Sequence, residues 1–386
     1  MKKLLVAVLA CAFFAPAFAV ENVQITGDIQ TIGLNVNDKD VAVVGDDLRG
    51  TTNRVLLGLE ADLVEDVHAK LTFAHRNEFG DSMQPVGLGV QGENLNQIWR
   101  RTTLAEAYVS IANVFDALEV KVGRQFYGDE KSAVMYFGPD YGYAVGNTYT
   151  SLDGATVRYN GENLTVTAAY FSIAGYDLDP EEESNLGGLD LTYKFTEELA
   201  ASAYVYDVRQ KAQKAWGFWG VKPTFENDNV KLGAEFARNY GEHEKGWLVK
   251  ADLALPIGLD NATITPRVTY LQSEKGFQAY GNYRPGLMFG TILGVFNNAL
   301  GYNVSDWEVI NAGLCMKFAG LEKWGFGLDF YTGEMDKHFN GNSWEAKVVY
   351  NHNDYVAFNL TGAVLTNKKH FTASPTAVQL GMNIKF

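Results

Sequence analysis

From Val20 to Phe386, apolar and polar residues alternate in many short runs, and no stretch keeps the 3.6-residue period of an amphipathic helix. In Val55–Leu63 the odd positions are apolar, while Glu60 and Asp62 share the other face. The same period of two runs through Val67–Phe73, Leu189–Phe195, Trp247–Leu253 and Trp344–Tyr350. Each run predicts a strand with two chemically different faces. Short breaks rich in Asn, Asp, Glu and Gly fall near residues 65–66, 113–116, 160–163, 196–198, 226–229, 257–261, 319–323 and 351–354. They suit tight hairpin turns. Longer, less regular segments separate them: 35–50, 80–100, 128–151, 174–186, 209–214, 241–245, 272–305, 334–342 and 366–375. Turns on one rim and loops on the other are the signature of a barrel, and the spacing predicts about eighteen strands of about ten residues. Both termini then lie on the short-turn side. Sixteen strands fit if 199–208 and 215–225 belong to loops.

The resulting fold class is all-β: a transmembrane antiparallel β-barrel. A soluble sandwich also alternates, so the chemistry of the faces must decide. Arg54, Glu60, Asp62, Lys70, Arg76, Glu106, Arg158, Lys194, Lys250, Asp252 and Arg267 fall at polar-face parity. Such charges are costly in a dry core and cheap in a water-filled lumen. Tyr170, Phe195, Trp216, Trp247, Trp307, Trp324, Trp344, Tyr355 and Phe386 lie near strand ends, where interfacial aromatic girdles are built.

The first nineteen residues differ from the rest. Lys2 and Lys3, an apolar run from Leu4 to Phe14, and Ala17-Phe18-Ala19 form a secretory signal with cleavage expected after Ala19. A lipoprotein signal ending at Cys11 is the competing reading. Residues 20–386 are expected to form one outer-membrane barrel domain. The 386-residue chain carries 32 basic and 46 acidic side chains, a net charge of −14. Without Lys2 and Lys3 the balance is 30 against 46, or −16. That argues against a nucleic-acid partner. Abundant aromatic residues exclude a disordered chain. Losing the leader also leaves Cys315 as the one thiol, so no intramolecular disulfide is expected.

The final strand, Ala377–Phe386, places Val378, Leu380, Met382, Ile384 and Phe386 on one face. It resembles the C-terminal insertion signal of bacterial outer-membrane barrels. Ala105–Val109, Val122–Gln125 and Asp153–Tyr159 resemble, in order and approximate spacing, segments of Gram-negative general diffusion porins. The resemblance is specific over about residues 101–160 and the C terminus. It departs in strand number, since those porins have sixteen, and in lacking the acidic loop motif of the enterobacterial members. It implies that the barrel has an inward-folded extracellular loop, residues 127–151, which narrows the pore, that the protein is a homotrimer, and that its partners are outer-membrane lipid, lipopolysaccharide and the barrel-assembly machinery.

A diffusion pore needs fixed charges at a constriction and no cofactor or metal. The candidate constriction sets Asp129, Glu130 and Asp140 on the loop against Arg54, Arg76 and Arg158 on the wall. Tyr127, Tyr136, Tyr141 and Tyr143 are candidate contacts for a solute. Strict alternation turns Arg124 away from the lumen, toward a strand-end or subunit role. Because most of the negative charge falls in loops, only a weak cation preference is expected. The segment 276–305 is too apolar for an exposed loop and reads as a second constriction or a cover for a neighbouring subunit. The six histidines are scattered, which speaks against an enzyme. The expected function is passive diffusion of ions and small hydrophilic solutes, the alternative being a selective channel for sugars, oligosaccharides or organic anions.

Overall fold

The computed structural model describes residues 21–37, 48–79, 103–139, 149–173, 184–210, 214–241, 246–281, 283, 286–287, 305–335, 339–366 and 374–386. Eighteen antiparallel strands follow one another around a closed barrel. They are β1 (Glu21–Asn37), β2 (Leu48–Val64), β3 (Val67–Phe79), β4 (Thr103–Val114), β5 (Leu118–Gln125), β6 (Leu152–Asn160), β7 (Leu164–Ile173), β8 (Ser184–Lys194) and β9 (Leu199–Gln210). The second half comprises β10 (Trp216–Glu226), β11 (Lys231–Gly241), β12 (Trp247–Ala254, continued by Ile257–Leu259), β13 (Ala262–Ser273), β14 (Trp307–Phe318), β15 (Trp324–Met335), β16 (Phe339–Asn351), β17 (Val356–Thr366) and β18 (Thr376–Lys385). The two segments offered as loops in the sixteen-strand alternative are thus β9 and β10. Strand β12 is interrupted at Leu255-Pro256, where proline has no N–H to give to the ladder.

Closure is made by β1 and β18, in register from Asp28 opposite Lys385 to Asn37 opposite Thr376. The ladder ends where Gly27 and Phe386 exchange backbone bonds of 2.7 and 3.0 Å. A closed barrel leaves no strand edge unpaired. Asn and Asp build the short turns, as their chemistry predicts. Asp66, Asn113 and Asp116 take left-handed φ values of 65°, 54° and 61°, which these residues tolerate. Asn353 accepts the N–H groups of Tyr355 and Val356 at 3.0 and 2.8 Å.

Alternation sorts the two faces, and its phase reverses along the barrel. Toward the short turns, Ile25, Leu57, Leu59, Val109, Leu189, Leu191, Val221 and Leu360 are exposed outward, and ionic groups point in. Toward the long connections, apolar side chains point inward: Ile32, Leu34 and Val36 on β1, Leu186 on β8, Tyr206 and Val208 on β9, Trp216 and Phe218 on β10, Trp307 and Val309 on β14. Trp216 and Trp307 therefore belong to an interior core, not to a girdle, because they sit at inward parity beyond the reversal. Outward positions at that end of β9 carry Asp207 and Arg209. The interior core exists because inward-folded chain fills this end of the barrel. Burying each of its larger side chains contributes roughly 1.5–3 kcal/mol.

Candidate functional site

Among the described residues two segments enter the lumen. The first follows β5: Tyr127–Gly128 pairs with Tyr136–Phe137 in a two-residue ladder. Gly128 has φ 95°, and a Cβ there would lie 2.4 Å from the Met135 oxygen. The turn between them is tied by Asp129, whose Oδ1 accepts the Lys131 N–H at 2.9 Å. Ser132 Oγ accepts the N–H groups of Val134 and Met135. Ala133, Val134, Met135 and Phe137 are buried against the inward apolar wall.

Wall residues fix this segment. Glu235 of β11, almost wholly buried, accepts Ser132 Oγ at 2.8 Å, the Ala133 N–H at 3.1 Å and Tyr204 Oη at 3.0 Å. Lys222 of β10 donates to Asp129. Tyr127 Oη donates to Asp190 at 2.5 Å, and Tyr206 donates to the same carboxylate oxygen. Burial of the Tyr127 phenol, reinforced by the adjacent Asp190 charge, raises its pKa well above the ordinary value. For Asp129 burial pulls the carboxyl upward. The hydrogen bond from Lys222 and that from the Lys131 backbone more than offset it, and the pKa ends below the usual carboxylate range.

The second segment leaves β13 and crosses to the first. Asn239 of β11 grips Gln278 at both ends, donating to its oxygen at 2.7 Å and accepting its N–H at 2.9 Å. Tyr280 N–H donates to the Val134 oxygen at 2.8 Å, and Tyr136 N–H to the Tyr280 oxygen at 2.7 Å. Gly281 lies so close to this ladder that a Cβ would stand 2.0 Å from the Ala133 oxygen. Farther on, Leu287 N–H donates to Glu345 of β16 at 2.8 Å. The part of 276–305 that is described thus folds inward. Burial pushes the Tyr280 phenol up to about 12.

Phe126 and Tyr136 form a ridge between two cavities. One, of about 540 Å³, is lined by Lys121, Asp129, Arg158, Asp190, Lys222 and Glu235 among others. The other, of about 380 Å³, is lined by Asp28, Lys70, Glu106 and Pro139 together with the ridge. In the second, Lys70 bridges Glu60 at 2.9 Å and Glu106 at 3.3 Å. In the first, Asp129, Asp190 and Glu235 are engaged as described. Arg158 has no hydrogen bond or ion pair among the described residues, and Lys121 rests over the Tyr108 ring at 4.6 Å. Glu119, cross-strand from Arg158, is the remaining acid of that cavity.

Tyr127, Asp129, Tyr136 and Arg158 therefore meet in one cavity. Arg54 and Arg76 are cross-strand neighbours on β2 and β3, with Arg54 buried and 3.6 Å from Asp28 of β1. This is a different sector of the wall from the β10 lysine that meets Asp129. Glu130 is exposed at the tip of the first segment. Asp140, Tyr141 and Tyr143 lie outside the described residues. Phe386 closes the β1–β18 ladder. Arg124 faces outward, its guanidinium on Asp153 at 2.7 and 2.6 Å and on the Leu104 oxygen at 3.1 Å. Sequence reasoning missed Lys222, Glu235, Asn239 and Glu345 as anchors. Their inward parity was readable, but the backbone groups they hold come from remote loops. Among the described residues no group of three or more metal-binding side chains gathers.

No protein-family model matches the chain, and no curated protein is significantly similar to it. Solved structures do match. OccK11 (OpdR) of Pseudomonas aeruginosa is 12% identical with a TM-score of 0.62, covering 95% of this chain and 96% of its own. A BenF-like porin from Pseudomonas fluorescens Pf-5 is 11% identical with a TM-score of 0.64, covering 95% and 99%. OccAB4 of Acinetobacter baumannii is 13% identical with a TM-score of 0.60, covering 95% and 99%. At these identities the likeness establishes the fold: this chain is an eighteen-strand barrel of the outer-membrane porin type.

Proposed function

We propose that the protein is an outer-membrane channel for passive diffusion of small hydrophilic solutes, and that it selects among them, favouring small organic anions. The porin fold supports the channel and its membrane. The observation that carries selectivity is the cavity of about 540 Å³ beneath the first inward segment. Four carboxylates, Glu119, Asp129, Asp190 and Glu235, line it against Lys121, Arg158 and Lys222; three of those carboxylates have their acceptor oxygens filled by hydroxyl, backbone or lysine donors, so the cations left open to a solute are Arg158 and Lys121. A solute carboxylate gains charge-assisted bonds there, while Tyr127 and Tyr136 offer ring faces to its body. The Arg158 and Lys121 pair acts locally on a solute carboxylate, while the expectation of a weak cation preference for small ions stands, since the acids lining the cavity outnumber its bases. Trimer formation and removal of residues 1–19 belong to the same proposal and rest on the porin-like sequence features alone.

Planar-bilayer recording tests the reading. In a KCl gradient the reversal potential is expected to report a weak cation preference, which Arg158→Ala should strengthen. Small aromatic carboxylates at low millimolar concentration are expected to reduce the current reversibly. Ohmic conductance insensitive to every carboxylate would overturn selectivity and leave general diffusion.

A further inference from the structure

Arg124, Arg209 and Arg238 face outward toward the long-connection end. Arg124 is held by Asp153, and Arg209 by Asp207 at 2.7 Å. Arg238 of β11 is exposed and has no hydrogen bond or ion pair among the described residues. Its outward direction is fixed by its neighbours Ala237 and Asn239, both buried inside. The register sets it directly between Trp219 of β10 and Trp247 of β12. Leu248 is buried inside, so Trp247 also faces out.

This row marks a boundary. Toward the short turns the outward positions are apolar: Val221 on β10, Phe236 and Leu232 on β11, Val249 on β12. Trp219 packs edge-on against Phe236, with ring centroids 5.6 Å apart. One step the other way stand Gly217 and Tyr240. Among the described residues the nearest outward acid, Asp207, is cross-strand from Gly217 and committed to Arg209. The polar groups of the row are therefore donors only: a guanidinium and two indole N–H groups. Tryptophan rings sit at the edge of hydrocarbon with their N–H toward headgroups, and an arginine stem can lie along apolar surface with its head in the interface.

A donor-only, cationic row at the edge of a lipid-facing band requires an anion, and at that depth a membrane offers headgroup phosphate. We propose that Trp219, Arg238 and Trp247 form a binding site for a phosphorylated lipid headgroup, the phosphate of lipid A in the outer leaflet. The guanidinium takes the phosphate through paired N–H bonds, and the two indoles flank it.

The test uses the full folded barrel in detergent micelles, titrated with bisphosphorylated lipid A, with bound lipid counted by native mass spectrometry. Arg238→Gln is expected to weaken binding about fivefold or more, and Trp247→Phe, which keeps the ring and removes the N–H, to weaken it less. Lys231→Gln, at the short-turn end of the same strand, is expected to bind as the unaltered protein does. Lipid A stripped of phosphate is expected to show no difference between the unaltered protein and Arg238→Gln. Heat-modifiable migration confirms that each variant is folded, and if Arg238→Gln fails that check, Trp247→Phe carries the comparison. Unchanged affinity in the folded variants, or equal binding of the phosphate-free lipid, would overturn the site. Displacement of lipid A by inorganic phosphate at equal concentration would overturn the lipid as its source.

Discussion

Asp129 sits where burial and hydrogen bonding oppose each other, and the bonds prevail. Its carboxyl titrates below the ordinary carboxylate value because Lys222 and the Lys131 N–H hold the charged form. A group with a depressed pKa contributes stability that is present above its ordinary pKa and disappears as pH falls through the depressed one. Acidification below about pH 4 should therefore loosen the tip of the first segment. Open-channel current noise is expected to rise over that range in the unaltered protein and to lose that step in Asp129→Asn. Unchanged pH dependence in that variant would sink the assignment. Glu235 makes a harsher case, since Glu235→Ala leaves Ser132, the Ala133 N–H and Tyr204 without their acceptor. Each stranded buried donor costs roughly 1–3 kcal/mol, so this variant should lower the denaturant midpoint and raise mean conductance together.

At the level of elements, the two inward segments act as one body because they share a ladder through Val134, Tyr136 and Tyr280. Gly281→Ala is expected to split them, since the new Cβ would overlap the Ala133 backbone. Single-channel conductance should rise and the current become noisier. Gly362→Ala, where nothing lies within 4 Å of the added carbon, should change neither, and equal behaviour of the two variants would refute the shared ladder. The strands, their number and the alternation of turns and loops were legible in the sequence, because a period of two and Asn/Asp turns are local signals. The phase reversal was written there too, in Ile32, Leu34 and Val36 at the opposite parity from Ile25 and Ile29. It was unreadable without knowing that chain folds inward at that end, which is why Trp216 and Trp307 looked like girdle residues. The pairing of residues 133–136 with 280–281 has no local signal. Lys222 and Glu235 reveal only that they face the lumen, not which loop atoms they hold.

Across the whole molecule, the fold is a cylinder whose wall changes environment with every residue, and one adjacent pair tests that claim. Leu360 and Asn359 are neighbours in the middle of β17. Leu360 is exposed outward, and Asn359 points inward, where its side chain would meet a Cβ on Gly381 at 2.5 Å. In a barrel that spans lipid, Leu360→Lys buries an ammonium group in hydrocarbon, at a cost of about 2–4 kcal/mol near the bilayer midplane and less toward its edges. Asn359→Lys places the same group in a wet lumen beside polar partners and should cost little. In a soluble β protein both faces would meet either water or a packed core, and the contrast would shrink or invert. Guanidinium unfolding of protein reconstituted in phospholipid vesicles should therefore show a large midpoint shift for Leu360→Lys and a small one for Asn359→Lys. The gap should narrow in short-chain detergent, whose micelle adapts to the outward charge. Equal shifts in vesicles would mean that the outward face of β17 does not see lipid, and the membrane reading would fall with it.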